Sequence, residues 1–202
     1  IELYCNNHLP QDSWYENEFS FIQGLDLKNR IITEFKAIRF AYKLYEGIEA
    51  TNENLLFEVR NQILAYASIY EAVIENVLNS YYSDTVEFDS LMHHIIPMKI
   101  SIPQSKQDIL QNVLSHDGKV IVPFYYTRKR KEKPQVRFDE KCRTAEGLGL
   151  IHKFINDDGV EIDLPSEIIE IYSYRNGIHI IAEQRKGINY ELDLSKKAYR
   201  RM

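Results

Sequence analysis

The stretch Ile63-Leu64-Ala65-Tyr66-Ala67-Ser68-Ile69-Tyr70-Glu71-Ala72-Val73-Ile74-Glu75 decides the fold class. It contains no Gly or Pro, and Ile63, Ala67, Tyr70 and Ile74 recur at the three-to-four-residue spacing of one helix face. Leu56 and Val59 extend the pattern backward, and Val77 and Leu78 extend it forward. The spacing predicts one helix over about Leu55–Tyr82, a length suited to a helical bundle. The polar link Ala50-Thr51-Asn52-Glu53-Asn54 supplies capping residues for its start.

On the N-terminal side, a second helix is expected from Asp26 to Gly47. Ile31, Ile32, Phe35, Ile38, Ala41, Tyr42 and Tyr45 keep helical spacing there. Residues 1–24, with Trp14, Tyr15, Phe19 and Phe21, read as an irregular arm packed on the body. On the C-terminal side, residues 84–140 read as a small β-containing insertion punctuated by Pro97, Pro103, Pro123 and Pro134. A short helix is expected at Lys106–Leu114 and an edge strand at Lys119–Tyr126. The tip falls at Arg128–Lys133, with a return strand at Val136–Phe138. Helical periodicity resumes at Lys141–Ile155, where Gly147 and Gly149 would permit close helix approach. Asn156-Asp157-Asp158-Gly159 is a turn. Asp163-Leu164-Pro165 then starts a helix expected to reach Lys186-Gly187, and a final helix is expected at Leu194–Met202. Four substantial helices in a single 202-residue domain make the chain mostly α, as an up-and-down four-helix bundle.

The net charge of −5 excludes nucleic-acid binding by bulk attraction, so any polyanion must be held locally. Residues 128–143 supply such a place, with eight basic residues against three acidic ones, while residues 1–27 hold no Lys or Arg. Arg128, Lys129, Arg130 and Lys131 read either as a solvated hairpin tip or as an RNA contact, with Tyr125 and Tyr126 placed to stack on bases. Cys5 and Cys142 are the only cysteines and form no metal or disulfide pattern, which suits a reducing, cytoplasmic setting. No apolar run approaches the roughly 18 residues of a membrane span. The first seven residues carry neither a charged leader nor a secretory core.

The candidate chemistry lies in Tyr174-Arg175-Asn176-Gly177-Ile178-His179. On a continuous helix Arg175, His179 and Glu183 share one face at i, i+4 and i+8. Cleavage of RNA by its own 2'-hydroxyl needs a proton acceptor or donor near neutral pH, which His179 supplies. It also needs a cation for charge building on the phosphorus oxygens, which Arg175 supplies. Asn176 would hold a phosphate or ribose oxygen. No metal cluster and no cofactor is implied, since adjacent His93 and His94 diverge. One helix offers one Arg and one His, so a homodimer through this helix would supply both in duplicate. Gly177 costs about 1 kcal/mol against Ala in a helix interior, which a closely approaching helix or substrate would offset. Glu71, in an apolar stretch after Tyr70, reads as a carboxylate paired with an Arg or Tyr. Tyr174 and Glu183 are read as supporting residues and His152 as a packing residue.

The segment Glu170–His179 resembles the Arg-Asn…His signature of the HEPN superfamily, and Ile63–Glu75 is similar to that family's first core helix. The resemblance covers residues 55–83 and 141–186. It implies a HEPN-like four-helix bundle, dimerisation and metal-independent endoribonuclease activity leaving a 2',3'-cyclic phosphate. The settings it implies are toxin–antitoxin modules, with an antitoxin or regulatory partner, and antiviral defence. The three residues between Arg175 and His179 are fewer than the usual pattern has. The alternative is therefore a catalytically inactive HEPN-like module that binds RNA or protein. Ile181 stands where some members carry a Tyr that an antitoxin modifies.

Overall fold

A computed structural model describes residues 1–114, 118–177 and 190–202. Among the described residues the chain is mostly helical, with two small two-stranded sheets. Its axis is the predicted long helix, the fourth in chain order, α4 (Asn52–Tyr81). Val59, Ile63, Tyr66, Ala67, Tyr70, Ile74 and Leu78 are all buried along it. Burying a side chain of Ile or Leu size contributes about 1.5–3 kcal/mol, so this row carries much of the core.

α3 (Leu25–Gly47) packs beside α4 through Ile31, Ile32, Phe35 and Ile38. The other flank of α4 meets α7 (Phe138–Gly147) and α8 (Leu164–Arg175). The last helix, α9 (Leu192–Arg200), closes over α4, where the Tyr70 hydroxyl donates to the Ala198 carbonyl. α8 begins as its sequence requires. Asp163 caps it by accepting from the Ser166 N–H at 3.1 Å, and Pro165 stands in its first turn.

The N-terminal arm is packed on the body as expected, but it is helical rather than irregular. It forms α1 (Glu2–Asn7) and α2 (Asp12–Glu18). Cys5, Tyr15, Phe19 and Ile22 are buried. Phe35 gathers the aromatic residues, with Phe19 at 5.5 Å and Tyr15, Tyr66 and Tyr199 at 6.0–6.1 Å between ring centres. The end of the arm is tied to α4 by two 2.9 Å bonds, Gln23 N–H to Asn76 Oδ1 and Asn76 Nδ2 to the Gln23 carbonyl.

The region after α4 differs most from expectation. Thr85 caps an unforeseen helix, α5 (Val86–Met92), through the Phe88 N–H. It leads directly into β1 (His93–Lys99), also unforeseen. β1 pairs antiparallel with β2 (Phe124–Arg130), so the strand expected at 119–126 begins later and takes its partner from upstream. Val136 and Phe138 are not a return strand. They are buried core residues at the entrance to α7. The short helix α6 (Gln104–Val113) bridges the far end of the β1–β2 ribbon.

Lys141–Ile155 is not one helix. Gly149, at φ +73°, follows the end of α7, and Lys153–Ile155 forms β3, paired with β4 (Glu161–Asp163) across the expected Asn156–Gly159 turn. A side chain at Gly147 or Gly149 would meet open space, so neither glycine marks a close helix approach. His152 lies exposed outside α7 rather than packing within it. Among the described residues, no helix is long and apolar enough to cross a membrane.

Candidate functional site

Glu71 on α4 and Arg175 at the end of α8 meet, with Arg175 Nη1 donating to Glu71 Oε2 at 2.7 Å. The same nitrogen donates to the Tyr172 hydroxyl at 3.0 Å, and the guanidinium lies 5.3 Å from the centre of the Tyr172 ring. Tyr172 is held from behind by Phe138, stacked at 4.0 Å. Burial, and then the Glu71 charge, push the Tyr172 phenol above its ordinary value. Arg175 is therefore fixed in direction, with its side chain about one-third exposed. Among the described residues only Nη1 is used, which leaves its other N–H groups to meet an anion. The expected pairing of Glu71 with an Arg or a Tyr is met by both.

The helix expected to carry the site as far as Lys186-Gly187 ends at its first site residue. α8 ends at Arg175, Asn176 is its C-cap, and the Gly177 N–H closes the turn onto the Tyr174 carbonyl at 2.9 Å. Gly177 therefore sits past the end of α8, where glycine carries no interior penalty. Asn176 is exposed directly beyond Arg175. His179 and Glu183 lie outside the described residues. Tyr174 is turned away from Arg175. Its hydroxyl donates to Glu170 at 2.7 Å, and Lys197 donates to the same carboxylate at 2.9 Å. Burial and Glu170 push the Tyr174 phenol up to about 12.

A second ion pair follows one turn along α4. Lys141 Nζ donates to Glu75 at 2.6 Å, and Lys131 Nζ donates to Glu140 at 2.9 Å beside it. These pairs link the Arg175 cluster to the foot of the β1–β2 ribbon, because the Lys131 N–H continues the ladder onto the Met92 carbonyl at 2.7 Å. Lys141 and Tyr172 were missed as site residues. Each looks ordinary in sequence, and only the acids Glu71 and Glu75, one and five residues beyond Tyr70, hint at the need for a cation.

The basic residues are at the foot of the ribbon, not at its tip. Arg130, Lys129 and Arg128 pair with His93, His94 and Ile95. Arg128 is bound to Asp89 of α5, and Lys131 is engaged by Glu140, so both are structural. Lys129 and Arg130 have no acidic partner among the described residues. Neither strand contains an acid. Tyr126 is 74% exposed and shares a ribbon face with Arg130, while Tyr125 shares the other with Lys129. No group of three His, Cys, Asp or Glu side chains suited to a metal ion occurs among the described residues. Comparison with protein-family models, with curated proteins and with solved structures returned no match.

Proposed function

We propose that the protein is a HEPN-like, metal-independent endoribonuclease acting as a dimeric toxin or antiviral defence effector. The observation that carries this reading is the Glu71–Tyr172–Arg175 cluster. It holds a guanidinium in one direction at a helix end, next to the exposed Asn176 and four residues before His179. The unopposed Lys129 and Arg130, with the exposed Tyr126, give RNA a surface joined to that cluster along α4.

In the proposed reaction the RNA 2'-oxygen attacks the adjacent phosphorus and the bond to the 5'-oxygen breaks. The products are a 2',3'-cyclic phosphate and a 5'-hydroxyl end. His179 takes the proton from the 2'-hydroxyl, and the second protomer's copy returns one to the leaving oxygen. Arg175 stabilises the charge on the non-bridging oxygens, and Asn176 positions the substrate.

The test is incubation of the pure protein with structured RNA in EDTA. Cleavage with cyclic-phosphate ends that His179→Ala abolishes is the expected result. Stable binding without cleavage at high protein concentration supports the second reading, a catalytically inactive RNA-binding module. Two observations favour that reading: α8 stops at Arg175, and Arg175 is already engaged by Glu71.

A further inference from the structure

α4 has a second polar face. At about 100° per residue, Gln62 and Tyr66 lie opposite Glu71 and Glu75 on the helix. There α3, α4 and α9 enclose a pocket of roughly 230 Å3. Three cations line it: Arg39 from α3 and Lys196 and Arg200 from α9. Among the described residues no carboxylate lines it. Arg39 lies over the Tyr199 ring at 3.9 Å and reaches the Tyr66 hydroxyl. Neither Arg39 nor Arg200 has an acidic partner among the described residues. Among the described residues Lys196 has only the exposed Asp193, at 3.6 Å on its own helix.

The floor is polar and buried, with Tyr66 1%, Ser195 1% and Gln62 3% exposed. Ser195 donates to Gln62 Oε1, and Gln62 Nε2 donates to Glu58 at 2.6 Å. The Gln62 amide thus stands between the pocket and the nearest buried acid. Like charges brought together around an enclosed polar floor are unfavourable until an anion joins them. Tetrahedral oxygens match guanidinium and ammonium donors presented by two facing helices, Arg39 from α3 and Lys196 with Arg200 from α9.

We infer that the Arg39–Lys196–Arg200 pocket is a binding site for a phosphomonoester dianion, distinct from the RNA surface and independent of the ribonuclease reading. The volume admits a phosphate together with part of the sugar that carries it. Two sources share this chemistry, a free mononucleotide and the 5'-phosphate end of a strand.

The test is calorimetric titration of the full chain with adenosine 5'-monophosphate, with inorganic phosphate, with a 5'-phosphorylated oligonucleotide, and with adenosine as the control lacking phosphate. One saturable site for at least one phosphorylated probe, and none for adenosine, is expected. Lys196→Gln and Arg200→Gln, both on the surface of α9, should each weaken it about tenfold. The Lys129→Gln/Arg130→Gln double variant should leave it unchanged. Binding of the mononucleotide assigns the free ligand. Binding of the oligonucleotide alone assigns the strand end. The proposal is overturned if no phosphorylated probe saturates the protein at millimolar concentration. It is equally overturned if Lys196→Gln and Arg200→Gln bind like the parent, or if the ribbon variant loses the site.

Discussion

The helical body and the β1–β2 ribbon obey different rules. α4 alone contributes ten buried residues, whereas no described residue between Leu91 and Val136 is buried. The body is specified by apolar packing. The ribbon is a two-stranded ladder exposed on both faces, of a kind that is marginal in isolation. Apart from Arg128, which is bound to Asp89, its charged side chains are available for contact.

The largest expected effect tests the body. Ile63→Ala should cost about 2–5 kcal/mol in denaturant unfolding, because a fully buried site keeps part of its cavity. Ile95→Ala on the ribbon, where Ile95 is 72% exposed, should stay within about 0.5 kcal/mol. Equal losses would erase the distinction between the two regions.

Next in size, Lys129→Glu with Arg130→Glu should weaken binding of single-stranded RNA about tenfold or more at low salt. Fluorescence anisotropy should show the slope of log affinity against log salt becoming shallower by about 1.4, while the melting temperature stays put. A fall in melting temperature as large as that of Ile63→Ala would make these residues structural.

The body–ribbon contrast also explains what was legible in the sequence. α3 and α4 declare themselves because one buried stripe repeats over many turns, and α8 because Asp163, Leu164 and Pro165 encode its first turn. β1 hides because His93-His94-Ile95-Ile96-Pro97 has no alternation, as a strand exposed on both faces needs none. Its partner also lies beyond α6, and local periodicity does not register so distant a pairing. β3 hides because Leu150 and Ile151 continue the apolar spacing past Gly149, whose positive φ ends the helix. In the site, Glu71 and Arg175 were readable as chemistry-bearing residues. Tyr172 was not, because a helix aromatic gives no sign that its hydroxyl meets a guanidinium. The basic run was readable as charge, but its division into the engaged Arg128 and Lys131 and the unopposed Lys129 and Arg130 depends on Asp89 and Glu140.

Smaller effects come from the polar faces of α4. Glu71→Gln should cost about 1–2 kcal/mol, since the pair with Arg175 is one-third exposed on each side. A double-mutant cycle with Arg175→Gln should return a coupling of about 1 kcal/mol, and zero coupling would make the pair incidental. The smallest effect concerns Glu58, whose carboxyl is raised above its ordinary 4.5 by burial, against the opposing bond from Gln62. A raised folded-state value means its contribution is fully present below the unfolded value and is lost as pH rises through the folded one. Glu58→Gln should therefore melt higher than the parent at neutral pH, and the gap should close as pH falls toward 4.5. A gap independent of pH would refute this.

The two cysteines turn the layered architecture into a pair of clocks. Cys5 is the one buried residue of α1, and Cys142 sits in the core on α7, its thiol pushed up to about 12 by burial. A thiol reagent attacks the thiolate and needs access to it, so Cys142 should react only when the body opens. Cys5 waits only for α1 to lift from α3. Under native conditions the ratio of the two labelling rates therefore measures, in a single experiment, how much more readily the N-terminal layer peels away than the bundle comes apart.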